Sequence, residues 1–192
     1  MRLHTHSVGR LAEVAAEDWQ ALDRAGNPFL DYGFLAQLES SGCVGGDSGW
    51  WPQHLLLRDG DGRLVGAVPR YLKAHSWGEF IFDWSWAQSY ARAGLDYYPK
   101  LLSAVPFTPV TGPRLLVAGS ADPQTRTALA RLLLESARQS RASRAHAIRS
   151  GEEPSVASAA VTAILGLTAF HGDAAAAIVI DAEAARLALP GS

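Results

Sequence analysis

Asp59-Gly60-Asp61-Gly62 lies between two apolar runs, and it constrains the fold of this chain more than any other feature. Asp-Gly pairs supply the positive φ angles that a tight hairpin turn demands. The flanking runs, 51–58 and 63–73, are therefore predicted to be two antiparallel strands. Pro69 in the returning run has no N–H to give to a ladder, so it belongs at a bulge or an edge.

The elements before this hairpin read in order. Residues 2–8 alternate weakly, as an edge strand would, and place His4 and His6 on one face. No third metal ligand accompanies them, so they read as solvated strand histidines and no metal site is predicted. Residues 15–22 form a short helix with Glu17 and Asp18 early, where the helix dipole favours negative charge. Gly26-Asn27-Pro28 breaks it. Asp31 caps a second helix that runs to Ser41 and stops at Gly42. The loop Cys43–Gly49 is glycine-rich. It lacks the Lys-Ser/Thr ending of a phosphate loop and does not join a strand to a helix, so phosphate binding is not expected there.

The stretch 77–116 has a different character. It carries Trp77, Trp84, Trp86, Tyr90, Tyr97, Tyr98, Phe80, Phe82 and Phe107, interleaved with Asp83, Asp96, Lys100, Arg114 and several prolines. Tyr and Trp each bring a polar tip that needs a partner when buried, so a plain core would use other residues. A polar-aromatic pocket is expected. Residues 79–86 alternate as a strand, with Phe80, Phe82, Trp84 and Trp86 on one face. Residues 88–104 read as two short helices, interrupted by Gly94 and Pro99. Residues 105–113 hold Pro106, Pro109 and Pro113, so they form an extended, rigid wall and not a central strand. A short strand at 114–117 and a helix from Ala121 to Ala137 follow, and residues 145–148 suggest one further strand. The arginines on that helix read as a solvated face.

Composition sets outer limits. With 192 residues the chain supports one domain with a real core. A net charge of −2 gives no support for a DNA partner. The single cysteine, Cys43, excludes an internal disulfide and fits a reducing, cytoplasmic setting. No run reaches the ~20 apolar residues of a membrane-spanning helix. From Gly151 onward the sequence is Ala-rich, without Trp, Tyr or Lys. The expected division is a domain at 1–150 and a divergent tail at 151–192.

Several blocks together carry a family resemblance. They are Asn27-Pro28-Phe29-Leu30, Glu39-Ser40-Ser41-Gly42-Cys43-Val44, Trp51-Pro52-Gln53-His54-Leu55, Gly66–Lys73, Glu79–Trp84 and Tyr97–Arg114. In this order they resemble the bacterial FemAB-like peptidoglycan biosynthesis/recognition family of the GNAT acyltransferase superfamily, over about 27–148. The resemblance implies an α/β (α+β) fold, a GNAT-like twisted mixed sheet flanked by helices. It implies transfer of an acyl or aminoacyl group to an amine, with acyl-coenzyme A or aminoacyl-tRNA as donor and no permanently bound cofactor. The partner is then a small molecule or a cell-wall precursor. The family pattern continues past His146 with an acidic helix, a Phe-His-Trp strand and a basic helix, and the tail here shows none of them. A truncated member with a frameshifted or disordered tail is thus expected, its sheet incomplete and its uncovered apolar surface prone to self-association.

Asp83, set between aromatics, is the candidate general base, because burial without partners would raise its pKa. Tyr90, Tyr98, Lys100, Thr108 and Thr111 would line the cleft, and Lys100 would pair with a phosphate or carboxylate. Two other readings stay open: a non-catalytic module that binds a cell-wall fragment or a protein, and an inactive gene remnant.

Overall fold

The computed structural model describes residues 3–79, 83–92, 94, 96–108, 110, 112–121, 124–125, 127–129, 131–132, 135, 162–164 and 177–181. Among them, ten strands form two five-stranded sheets, ordered β1-β4-β5-β8-β2 and β3-β6-β7-β10-β9. The strands are β1 (His4–Val8), β2 (Leu22–Asp23), β3 (Trp50–Pro52), β4 (His54–Arg58) and β5 (Leu64–Val68). They continue as β6 (Tyr71–Lys73), β7 (Lys100–Ala104), β8 (Leu116–Ala118), β9 (Thr162–Ile164) and β10 (Ala177–Asp181). The helices are α1 (Ala16–Gln20), α2 (Tyr32–Ser40) and α3 (Trp84–Arg92), and residues 125, 127–129, 131–132 and 135 are also helical. This is the predicted α+β class, consistent with a GNAT-like fold. Every described pairing is antiparallel, and the strands divide between two sheets where one was expected.

The predicted hairpin joins the two sheets. Its outer half pairs β4 with β5, and its inner half pairs β3 with β6. The break falls at Gln53 on one arm and at Pro69-Arg70 on the other, where proline cannot extend the ladder. Side chains and loose ends close the break. Arg70 Nε donates to the Gln53 carbonyl at 2.5 Å, and the Gln53 amide donates to the Arg70 carbonyl at 2.8 Å. Ser103 Oγ of β7 donates to the carbonyl of Pro69 at 2.7 Å. The turn is held by Asp59, whose Oδ1 accepts from the amides of Asp61 and Arg63.

β4 and β5 are apolar at nearly every position because both faces of their sheet are covered. Leu55, Leu57, Val65 and Leu129 fill one side. Leu56, Ala67, Trp19, Leu30 and Leu35, with Leu11 and Val14, fill the other. Gly66 lets the helical residues approach, since a Cβ there would lie 3.2 Å from Leu129 Cδ2 and 3.3 Å from the Leu116 carbonyl.

Several expectations need correction. Residues 84–86, predicted as the end of a strand, instead begin α3, which runs to Arg92 within the stretch predicted helical from residue 88. The Asp83 carbonyl accepts from the Ala87 amide and starts the helix, while Trp84 stays half exposed at 51%. Residues 100–104 form β7, not a helix, and all five are buried. A strand covered on both faces loses the alternation that identifies it, so K-L-L-S-A carried no period-2 signal. Asp31 stands at the α2 N-cap position, but its carboxylate turns to Arg24 Nε at 2.8 Å and caps nothing. His4 and His6 are exposed on β1, as predicted. The predicted strand at 145–148 lies outside the described residues. Within 151–192, β10 pairs with β7, Val179 opposite Leu102, and β9 pairs with β10.

Candidate functional site

β6 and β7 run antiparallel, with Lys73 directly opposite Lys100. Both side chains are fully buried, so two ammonium groups share one covered face. Like charges opposite each other destabilise a strand pair unless counter-charge comes between them. The segment between β6 and α3 supplies it, through Glu79 and Asp83.

Lys100 Nζ donates to Glu79 Oε2 at 2.7 Å, to Ser76 Oγ at 3.1 Å, and also to Asp83 Oδ2. Asp83 Oδ2 accepts a second bond, from Tyr97 Oη at 2.6 Å, and Asp83 Oδ1 accepts from Ser76 Oγ. Ser76 Oγ and Tyr98 Oη lie 2.7 Å apart. Lys73 Nζ donates to the Trp77 carbonyl at 2.8 Å, lies 3.7 Å from the Trp50 ring centroid, and stands 3.8 Å from Glu79 Oε1. Among the described residues, Glu79 Oε1 is buried and accepts no hydrogen bond.

Two halves of this cluster differ electrostatically. Burial pulls the Asp83 carboxyl up, yet bonds from Lys100, Ser76 and Tyr97 outweigh it and hold the group below the ordinary carboxylate range. Such a carboxylate is a poor proton acceptor near neutral pH, so the condition that made Asp83 a base candidate, burial without partners, is not met. Burial dominates at Glu79 and raises its pKa despite Lys100. Burial also lowers Lys73 to about 8, against the opposing pull of Glu79. The proton affinities of Glu79 and Lys73 are thus shifted toward each other, the carboxyl upward and the ammonium downward. Tyr97 is raised by burial and by its bond to Asp83, and Tyr98 is raised by burial. Both phenols stay protonated and serve as donors.

An aromatic rim surrounds the cluster. Tyr90 packs edge-on against Tyr97 at 5.2 Å, and Tyr97 against Tyr98 at 5.0 Å. Trp77, Trp84 and Phe107 are exposed at 69%, 51% and 43%. Trp50, buried, lies 5.2 Å from Phe107 and ties the rim to β3.

The structure thus gathers Asp83, Tyr90, Tyr98 and Lys100 into one place. Lys100 is buried and pairs with the chain's own carboxylates, leaving no charge free for a ligand. Thr108 Oγ1 donates to the Pro106 carbonyl at 3.1 Å, a bond within its own turn. Thr111 lies outside the described residues. Sequence reasoning missed Lys73, Ser76 and Glu79. One signal was available: Lys73 shares the inward period-2 position of Tyr71, which marks a lysine that must be neutralised.

A separate cleft of about 870 Å³ lies beside the glycine-rich loop, lined by Arg10, Glu39, Ser48 and Trp51 among others. Glu39 and Asp47 both line it, so a phosphate there would meet two carboxylates. No group of His, Cys, Asp and Glu among the described residues is arranged to hold a metal. No described helix is long and apolar enough to cross a membrane.

A family model for FemAB-like proteins, described as peptidoglycan biosynthesis/recognition, matches residues 10–166. The match begins earlier and ends later than the blocks quoted above. No curated protein and no solved structure matches the chain.

Proposed function

The chain belongs to the FemAB-like peptidoglycan biosynthesis/recognition family, and from that premise we propose that it transfers an acyl or aminoacyl group to an amine at the Lys73–Glu79–Lys100–Asp83 cluster. The observation that carries this reading is Glu79 Oε1, a buried carboxylate oxygen without a hydrogen bond, 3.8 Å from Lys73 Nζ. Buried polar atoms are almost always satisfied, and exceptions concentrate at reacting sites.

The roles follow from the chemistry. The acceptor amine attacks the donor carbonyl, a C–N bond forms, and the bond to the leaving group breaks. Glu79, raised by burial, takes the amine proton. Lys73 stabilises the carboxylate before transfer. Tyr98 is half-buried beside the cluster and donates its one hydroxyl proton to Ser76 Oγ, whose own proton goes to Asp83, so it holds Ser76 in place. Asp83 is a positioning residue, holding Lys100, Tyr97 and Ser76 in register. Acyl-coenzyme A or aminoacyl-tRNA is the donor class, and a small-molecule or cell-wall-precursor amine is the acceptor. The GNAT-like fold expected from the resemblance supports the same donor chemistry.

The test is transfer of labelled acyl groups from both donor classes to a panel of amines. Glu79→Gln is expected to lower turnover about 10²- to 10⁴-fold, the usual contribution of a positioned base. Equal turnover in the variant overturns the assignment. Silence of the native protein with every donor overturns the transferase reading. A second reading then takes its place, resting on the exposed Trp77, Trp84 and Phe107: a recognition module for cell-wall fragments. It requires muropeptide binding without turnover, lost in Tyr98→Ala.

A further inference from the structure

The cleft beside the glycine-rich loop lies away from the charged cluster. Successive side chains of β3 separate the two, since Trp50 packs over Lys73 while Trp51 lines the cleft. Glu39 forms part of the cleft lining. Its Oε1 accepts from Nε2 of the fully buried His54 at 2.8 Å, and its Oε2 accepts from the Leu11 amide at 2.8 Å. The ring nitrogen Nδ1 of His54 accepts from the Arg70 amide at 3.4 Å, which places the ring proton on Nε2, facing Glu39. Trp19 and Tyr71 pack edge-on against the same ring. Glu39 is thereby locked in one orientation.

A carboxylate with one bond on each oxygen retains acceptor capacity on both. It stands near the C-terminus of α2, where the helix dipole adds negative potential. Cleft wall and rim carry one cation, Arg10, and one other anion, Asp47. The Arg10 side chain is exposed and forms no hydrogen bond or ion pair among the described residues. Ala12, Ala36, Val44 and Trp51 add apolar lining. The Trp51 indole is fixed by its N–H bond to the Gly46 carbonyl at 2.9 Å. The volume is within the range of small-molecule sites.

We infer that this cleft binds an amino acid with an apolar side chain. The ammonium pairs with Glu39, the carboxylate with Arg10, and the side chain packs on Trp51. A neutral or anionic ligand would leave Glu39 unanswered; a simple amine would leave Arg10 so. Binding is read without turnover and does not rest on the transferase proposal, so either can fail while the other stands.

The experiment is NMR titration of the full chain with L-leucine, N-acetyl-L-leucine and L-leucinamide. L-leucine is expected to shift the Trp51 indole and the Gly45 and Gly46 amides saturably. Each blocked derivative should bind at least about tenfold more weakly, the equivalent of one lost charged contact. Arg10→Met should weaken leucine about tenfold and leave leucinamide unchanged. Glu39→Gln should abolish leucine binding. It also alters the contacts to His54 and Leu11, so the exposed Arg10→Met variant keeps the test independent of folding. Equal binding of N-acetyl-L-leucine, no effect of Arg10→Met, or no shift at about 20 mM leucine, beyond the millimolar range of weak sites, each overturns the proposal.

Discussion

Lys73 and Lys100 face each other across adjacent antiparallel strands with no solvent exposure, and Glu79 stands between them, 3.8 Å from one ammonium and 2.7 Å from the other. Neither lysine could occupy its site alone. The pairing of β6 with β7 therefore depends on the segment that follows β6, which belongs to neither strand.

Removing one charge of this group should be costly. Lys100→Met leaves Glu79 and Asp83 buried without their shared donor. Loss of one partner of a buried ion pair typically costs about 3–5 kcal/mol. Urea unfolding of the native chain and the variant checks this. Adding Asp83→Asn to Lys100→Met should recover part of the loss, because one of the two carboxylates deprived of Lys100 is then neutral.

Lys73 makes stability depend on pH. Its folded pKa of about 8 lies below its ordinary value of 10.5. Between the two, the unfolded chain holds more protons, so stability rises with pH across that window. The slope for one proton is at most about 1.4 kcal/mol per pH unit. Melting between about pH 8 and pH 9.5, below the usual tyrosine range, should show the rise, and Lys73→Met should lack it.

Asp83 acts in the opposite sense. Its folded pKa is held below the ordinary value, so its contribution is present above the unfolded pKa and is lost as pH falls through the folded one. Tyr97→Phe removes one of its donors, the bond at 2.6 Å. The expected cost is about 1–3 kcal/mol. Carbon-13 NMR titration of the Asp83 carboxyl should show its pKa moving upward in the variant.

Gly78 has φ +78°, and a Cβ there would lie 2.7 Å from the Phe107 ring and 3.1 Å from Trp50 Nε1. Gly78→Ala should destabilise by about 1–3 kcal/mol, through strain and overpacking. It should also displace Phe107 from the rim, visible as a change in tryptophan fluorescence.

The hairpin was legible because its turn chemistry is local: Asp59 and Gly62 act on atoms within four residues. The helices at 16–20 and 32–40 were legible for the same reason, from early acids, a proline break and a stop at glycine. β7 was not, because K-L-L-S-A has no alternation to read. The start of α3 was misread because W-S-W satisfies a period of two as well as part of a helical turn. Asp83, Tyr90, Tyr98 and Lys100 could be picked out as polar groups set among aromatics. Glu79 and Lys73 could not, since their meaning lies in a distance between two strands and a loop.

By itself the sequence determined the α+β class, the hairpin, the aromatic stretch and the family. These follow from short-range backbone preferences and from residue blocks in order. Only the tertiary structure decided that the hairpin would split between two sheets. It alone placed Lys73 opposite Lys100, satisfied Asp83 and left Glu79 Oε1 open. The physical reason is burial: desolvation shifts Lys73 and Glu79, the hydrogen bonds made against it shift Asp83, and both exist only once separate segments have packed together.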